Sequence, residues 1–169
     1  GNVSIDGGTI KLDGNYPTGT GNVALGDAAL DAATTATANT ALGDNSLSAN
    51  TSGNYNTAVG RYSLILNTTG TYNTGVGYDA LFNTTGSNNT ALGADALYSN
   101  TTASNNTAVG YQSLFSNTTG TENQAFGHTS LYLNTTGNYN NAFGRGALYN
   151  NTTGSNNTAM GTQALVLNT

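Results

Sequence analysis

The chain has 169 residues, a formal net charge of −5 and only 7% charged residues, against about 25% in typical soluble domains. Its three basic residues, Lys11, Arg61 and Arg145, leave no footprint for a phosphate backbone, so nucleic acid is not an expected partner. Cysteine is absent, which excludes disulfides and thiolate metal sites, and no apolar run reaches the roughly 18 residues of a membrane span.

Residues 1–20 are not repetitive. Val3 and Ile5, then Ile10 and Leu12, alternate around Asp6-Gly7-Gly8, which predicts two short strands and a tight turn. This segment reads as an entry cap or as the junction to a preceding domain. A solenoid needs a cap because its terminal coil exposes core and strand edge.

Residues 21–169 repeat. Glycines recur at Gly26, Gly43, Gly60, Gly77, Gly93, Gly110, Gly127, Gly144 and Gly161, always 17 apart except for one interval of 16 between Gly77 and Gly93. A leucine follows four residues after each of them, from Leu30 to Leu165. Such a period marks a solenoid, in which each repeat is one coil stacked on its neighbours. The expected fold is all-β: a parallel β-solenoid, or β-roll, of about nine 17-residue coils.

Asn106 to Glu122 is the best-kept copy. Thr107-Ala108-Val109 is β-prone and Gly110 breaks it, supplying the freedom a sharp corner demands. Ser113 to Ser116 is a second element, a strand or one helical turn. Asn117-Thr118-Thr119-Gly120 is a second corner, rich in turn formers. Stacked coils place like residues in columns about 4.8 Å apart. The expected core holds the leucines, the residue before each glycine (Leu25 to Met160), and two columns of small residues. The asparagines that open each copy, Asn22 to Asn157, predict an amide ladder. The missing residue of the 16-residue interval is expected between Leu81 and Asn83.

From Ile65 to Val166 the residue after each leucine is bulky and, on a strand, would point outward. Phe82, Tyr98, Phe115, Tyr132 and Tyr149 therefore predict an external aromatic stripe, which marks an interface more often than bare surface. A thin core and such a stripe point to lateral assembly of several chains. A homo-oligomer is the expected partner state, a trimer being the usual number for fibres of this kind.

Catalytic chemistry has little to stand on. The one histidine, His128, sits at a variable position and reads as a surface residue. Asp27, Asp44, Asp79, Asp95 and Glu122 come singly in each coil and change column, and only Asp79 and Asp95 suggest a weak cation site. No enzyme activity, cofactor or metal is expected. Asn50, Asn67, Asn83, Asn100, Asn117, Asn134 and Asn151 each open an Asn-Thr-Thr or Asn-Thr-Ser run, a formal glycan acceptor on what reads as an exposed corner. The plainer reading is that Asn and Thr are good corner residues.

Asn106-Thr107-Ala108-Val109-Gly110-Tyr111-Gln112-Ser113-Leu114 resembles the head repeat of YadA-like (Hep/Hag) trimeric autotransporter adhesins, and is similar also to Asn-Thr-Thr-Gly repeats of phage and bacterial tail-fibre proteins. The resemblance covers residues 21–169, although the repeat here is about three residues longer around Asn-Thr-Thr-Gly. It implies a trimeric rod on a cell or virion surface, outside the cell, meeting a surface glycan or protein receptor. The expected function is a structural or adhesive fibre segment, a stalk or head. The alternatives are a glycan-coated extracellular filament and, more remotely, an ice-binding solenoid. The chain lacks an initial methionine and stops within a repeat, which reads as a piece of a longer protein.

Overall fold

The computed structural model describes residues 19–168, so all but the last two residues of the expected cap lie outside it. The described residues form a β-solenoid. Nine strands of three residues, β1 (Val23–Leu25), β2 (Thr40–Leu42), β3 (Thr57–Val59), β4 (Thr74–Val76), β5 (Thr90–Leu92), β6 (Thr107–Val109), β7 (Gln124–Phe126), β8 (Asn141–Phe143) and β9 (Thr158–Met160), make one parallel sheet in chain order. Each residue pairs with its counterpart 17 later, or 16 later between β4 and β5, where Thr74 pairs with Thr90.

Three residues are too few to hold a strand by themselves, and the stacking goes on beyond them. In the coil from Asn106 the amides of Thr107, Leu114, Ser116 and Thr118 donate to carbonyls of the next coil, at 2.9, 2.9, 3.1 and 2.9 Å, while Gly110 and Gln112 donate back to the previous one. Hydrogen bonds therefore tie coil to coil around the whole section, which is how a short-period rod satisfies its buried backbone.

Each corner glycine has a positive φ, 129° at Gly110, and a Cβ there would lie 2.6 Å from the carbonyl oxygen of Gly127. Both the backbone conformation and the closeness of the next coil require glycine. The second element is neither strand nor helical turn. It is a run of turns in which the second and fourth residues after the glycine adopt left-handed φ, as Gln112 (51°) and Leu114 (51°) do. A bulky residue at positive φ is uncommon. Here the full burial of the leucine offsets the strain, since Leu30 through Leu148 of that column are completely enclosed.

The core differs from expectation in one column. The middle strand residue, Ala24 through Ala159, is buried, and the residues on either side of it face out. The pre-glycine residues, expected inside, are thus half-exposed or exposed, Leu25 and Leu92 among them. Alternation decides this: with alanine inward, its neighbours must point outward. The interior place that a second large apolar residue would have filled goes to asparagine. Asn39 Nδ2 donates to the Gly53 carbonyl at 2.9 Å and its Oδ1 accepts from the Asn56 amide at 2.8 Å, and the pattern recurs at Asn56, Asn73, Asn89, Asn106, Asn123 and Asn140. The expected amide ladder is present, and it is buried.

The short coil closes at a corner, but beyond Asn83, Thr84 and Thr85 and not before them as expected. Thr84 is buried and accepts from Asn100 Nδ2 at 3.0 Å, as an asparagine does in other coils, and Thr85 donates to the Thr101 carbonyl. The missing residue therefore lies between Thr85 and Gly86. Leu81 and Leu97 remain buried in one column, and a Cβ on Gly77 would still touch the Gly93 carbonyl.

Candidate functional site

The inner columns barely change from coil to coil, so any recognition belongs to the outer ones. Four outer tracts run along the rod.

The first is the aromatic stripe. Phe82, Tyr98, Phe115, Tyr132 and Tyr149 are half-buried and stacked in sequence, with ring centroids 5.0, 5.2, 5.3 and 5.1 Å apart and planes within 20° of parallel. Coil spacing sets ring spacing, and each contact is worth about 0.5–1.5 kcal/mol. Because the rings face one another, they turn edges outward. A stack of this kind offers no open ring face on which a sugar could lie, but it does offer a continuous apolar ridge.

The second tract is the outer face of the sheet. Its two columns, Val23 to Thr158 and Leu25 to Met160, hold no charged residue. Five consecutive strands, β2 to β6, present threonine in the first column and valine or leucine in the second. Phe126 and Phe143 stack at 4.9 Å further along. Sequence reasoning missed this face, although the rule that turned the aromatic stripe outward applies to it equally.

The third tract follows the corner glycines and carries most of the charge. Arg61 bonds Asp44 at 2.9 Å and lies over the Tyr62 ring at 4.3 Å. Asp79 and Asp95 do stack in adjacent coils, and burial first, then the Asp95 charge, raises the Asp79 pKa above its ordinary value. Asp79 Oδ1 has no hydrogen-bond partner. Two carboxylates alone do not enclose a cation, and among the described residues no group of three or more His, Asp or Glu could hold a metal. His128 is exposed, 3.2 Å from Thr129 Oγ1 and against the Tyr111 ring. Nearby, Gly146 leaves a notch of about 240 Å³ between Thr129, Arg145, Tyr149, Gln163 and Val166, smaller than most ligand pockets.

The fourth tract is the Asn-Thr-Thr-Gly corner. Asn50, Asn67, Asn100, Asn117, Asn134 and Asn151, expected on an exposed corner, are fully buried. Their Nδ2 atoms, which would carry a sugar, donate to the glycine or alanine carbonyl three residues on, at 2.9 to 3.1 Å. Asn83 is half-exposed, and its Nδ2 donates to the Tyr98 carbonyl. The first corner threonines are engaged too: Thr51, Thr101, Thr118 and Thr135 donate their hydroxyls to the next coil. The corner looks like a polar surface in sequence and works as internal bracing.

No protein-family model, curated protein or solved structure matches the chain. Among the described residues no helix is long and apolar enough to cross a membrane.

Proposed function

We propose that the chain is a structural and adhesive fibre segment, a homotrimeric rod on a cell or virion surface that carries or forms a receptor-binding part. The observation that carries this reading is the pair of uncharged outer tracts, the aromatic ridge and the sheet face. Both run along a rod whose own core is made of alanine, one leucine per coil and asparagine. Exposed apolar surface of that extent marks an association site, and it repeats at the spacing of a parallel neighbour. Burying one ring of the ridge further against a second chain contributes on the order of 1–2 kcal/mol. Sedimentation equilibrium tests it. A species of three chains is expected, and replacing Phe115 and Tyr132 by lysine should release folded monomer. A wild-type chain that sediments as a stable, folded monomer overturns the reading.

A second reading has one observation in its favour. The outward threonines of β2 to β6 stand in register, one inward residue away from a column of aliphatic side chains. Unlike the corner threonines, they project from the sheet, as an array that orders water requires. Ice-recrystallisation inhibition by the rod, lost in Thr74→Lys, would support an ice-binding face; no inhibition by folded protein removes it.

A further inference from the structure

Tyr55 and Tyr72 form an aromatic pair outside all the tracts assigned above. They hold equivalent places in adjacent coils, two residues after the glycine of the second corner. Their ring centroids are 4.9 Å apart and the planes differ by 8°. Both are more than half exposed, at 54% and 58%. The backbone fixes the spacing: both residues are left-handed, with φ of 59° and 57°, and their amides donate to Thr37 and Asn54 of the preceding coils, each at 3.1 Å. Neighbours in the column are Ala38 on one side and Asn88 on the other, so neither ring is covered or shared with a third.

We infer that Tyr55 and Tyr72 are a preorganised site of oxidative coupling, at which a one-electron oxidant such as peroxide-charged haem peroxidase joins them as dityrosine. Each phenol gives up one electron and one proton. The two phenoxyl radicals pair through the ring carbons ortho to oxygen, forming one carbon–carbon bond. The hydrogens on those carbons then return to the phenol oxygens by tautomerisation. The chain loses two hydrogens in all, and one hydrogen peroxide is reduced to two waters as its O–O bond breaks.

Composition directs oxidation to tyrosine. The chain has ten tyrosines, no cysteine, no tryptophan and a single methionine, so a radical has few other side chains on which to settle. Among the described tyrosines, Tyr132 and Tyr149 also stack, at 5.1 Å, but they are half-buried in the aromatic ridge. Tyr98 lies between two phenylalanines. Tyr78, Tyr111 and Tyr139 are exposed as well, and Tyr62 meets Tyr78 edge to face at 6.4 Å, but among the described tyrosines Tyr55 and Tyr72 alone are both exposed and stacked in parallel. The product would staple two coils of a chain that has no disulfide. The inference is independent of the fibre reading, since both residues belong to one chain.

The test is peroxidase and hydrogen peroxide on dilute protein, followed by denaturation, mass spectrometry and peptide mapping. Dityrosine fluorescence is expected in single chains that have lost two hydrogens, with the link mapped to Tyr55 and Tyr72 and a raised melting temperature. Tyr55→Phe and Tyr72→Phe should each abolish the intramolecular product while keeping the wild-type circular dichroism, and Tyr132→Phe should leave it intact. Coupling only between chains, a link mapped elsewhere, undiminished product in Tyr55→Phe, or no product at all overturns the inference.

Discussion

The two corners of each coil solve the same problem by different means. The glycine corner after each strand is held by backbone: a positive φ and a carbonyl of the next coil lying where a Cβ would go. Nothing there can be exchanged, and its place in the repeat never shifts. The Asn-Thr-Thr-Gly corner is held by side chains, an amide reaching across the turn and a hydroxyl reaching to the next coil. That corner has lost a residue before Gly86, accepts threonine for asparagine at Thr84, and carries Ala36 and Ala103 in place of its glycine. A Cβ would meet a carbonyl of the next coil at both corners, Gly127 from Gly110 and Gly137 from Gly120, so what sets the first corner apart is its positive φ, while the second keeps an ordinary backbone and several side-chain hydrogen bonds.

The largest expected effect separates the corners directly. Gly110→Ala should destabilise by on the order of 3 kcal/mol, combining the strain of a conformation nearly confined to glycine with a backbone clash. Gly120→Ala should cost less, about 1–2 kcal/mol: a Cβ there also meets a carbonyl of the next coil, that of Gly137, but the backbone carries no positive φ, and alanine already occupies that column at Ala36 and Ala103. Equal losses in thermal unfolding would erase the distinction.

Asn117→Ala should follow. It removes one of the two amides that donate to the Gly120 carbonyl, Asn106 Nδ2 being the other, takes from the buried Asn100 Oδ1 the donor it has in Asn117, and breaks the link from Asn134, the last two at 2.9 Å each. An unsatisfied buried group costs roughly 1–3 kcal/mol. Asn117→Thr should recover part of the loss, as Thr84 does in its own coil, and urea denaturation of the two variants reads the difference.

Asp79→Asn should be a smaller effect with a defined pH dependence. The folded pKa is raised by burial and by Asp95, so the folded state binds the proton more tightly than the unfolded chain. Stability from this group is full below the ordinary carboxylate range and falls as pH rises through the raised folded value. Asp79→Asn should therefore raise the melting temperature at pH 7 and change little in strong acid. A gain that persists unchanged at low pH would rule out the ionised carboxylate as its source.

The smallest effect belongs to length. Inserting one threonine between Thr85 and Gly86 restores the 17-residue interval and should leave the melting temperature unchanged. A marked loss would show that the short coil is a requirement of its neighbours and not a tolerated gap.

Repeat length, glycine corners, leucine column and opening asparagine ladder were all legible, because stacking identical coils turns sequence register directly into spatial columns. Phe82 to Tyr149 do lie outside the leucine column, but half-buried and on a run of turns, not on the strand whose alternation predicted it. Val109 and its counterparts were misplaced inward because hydrophobicity suggested core, while the alternation set by Ala108 put them outside. Asn117 was misplaced outward for the opposite reason: an Asn-Thr-Thr run has the composition of an exposed loop. Its burial depends on Gly120 turning its carbonyl back toward the amide, which composition does not encode.

The sequence by itself determined that this chain is a rod of stacked coils, since a strict period admits one way of satisfying every repeat at once. Tertiary structure decided which side chains the rod keeps and which it shows. A section this narrow has room for one leucine, two small residues and two asparagines, so packing volume and the demand that every buried amide find a carbonyl overruled hydrophobicity at Val109 and polarity at Asn117.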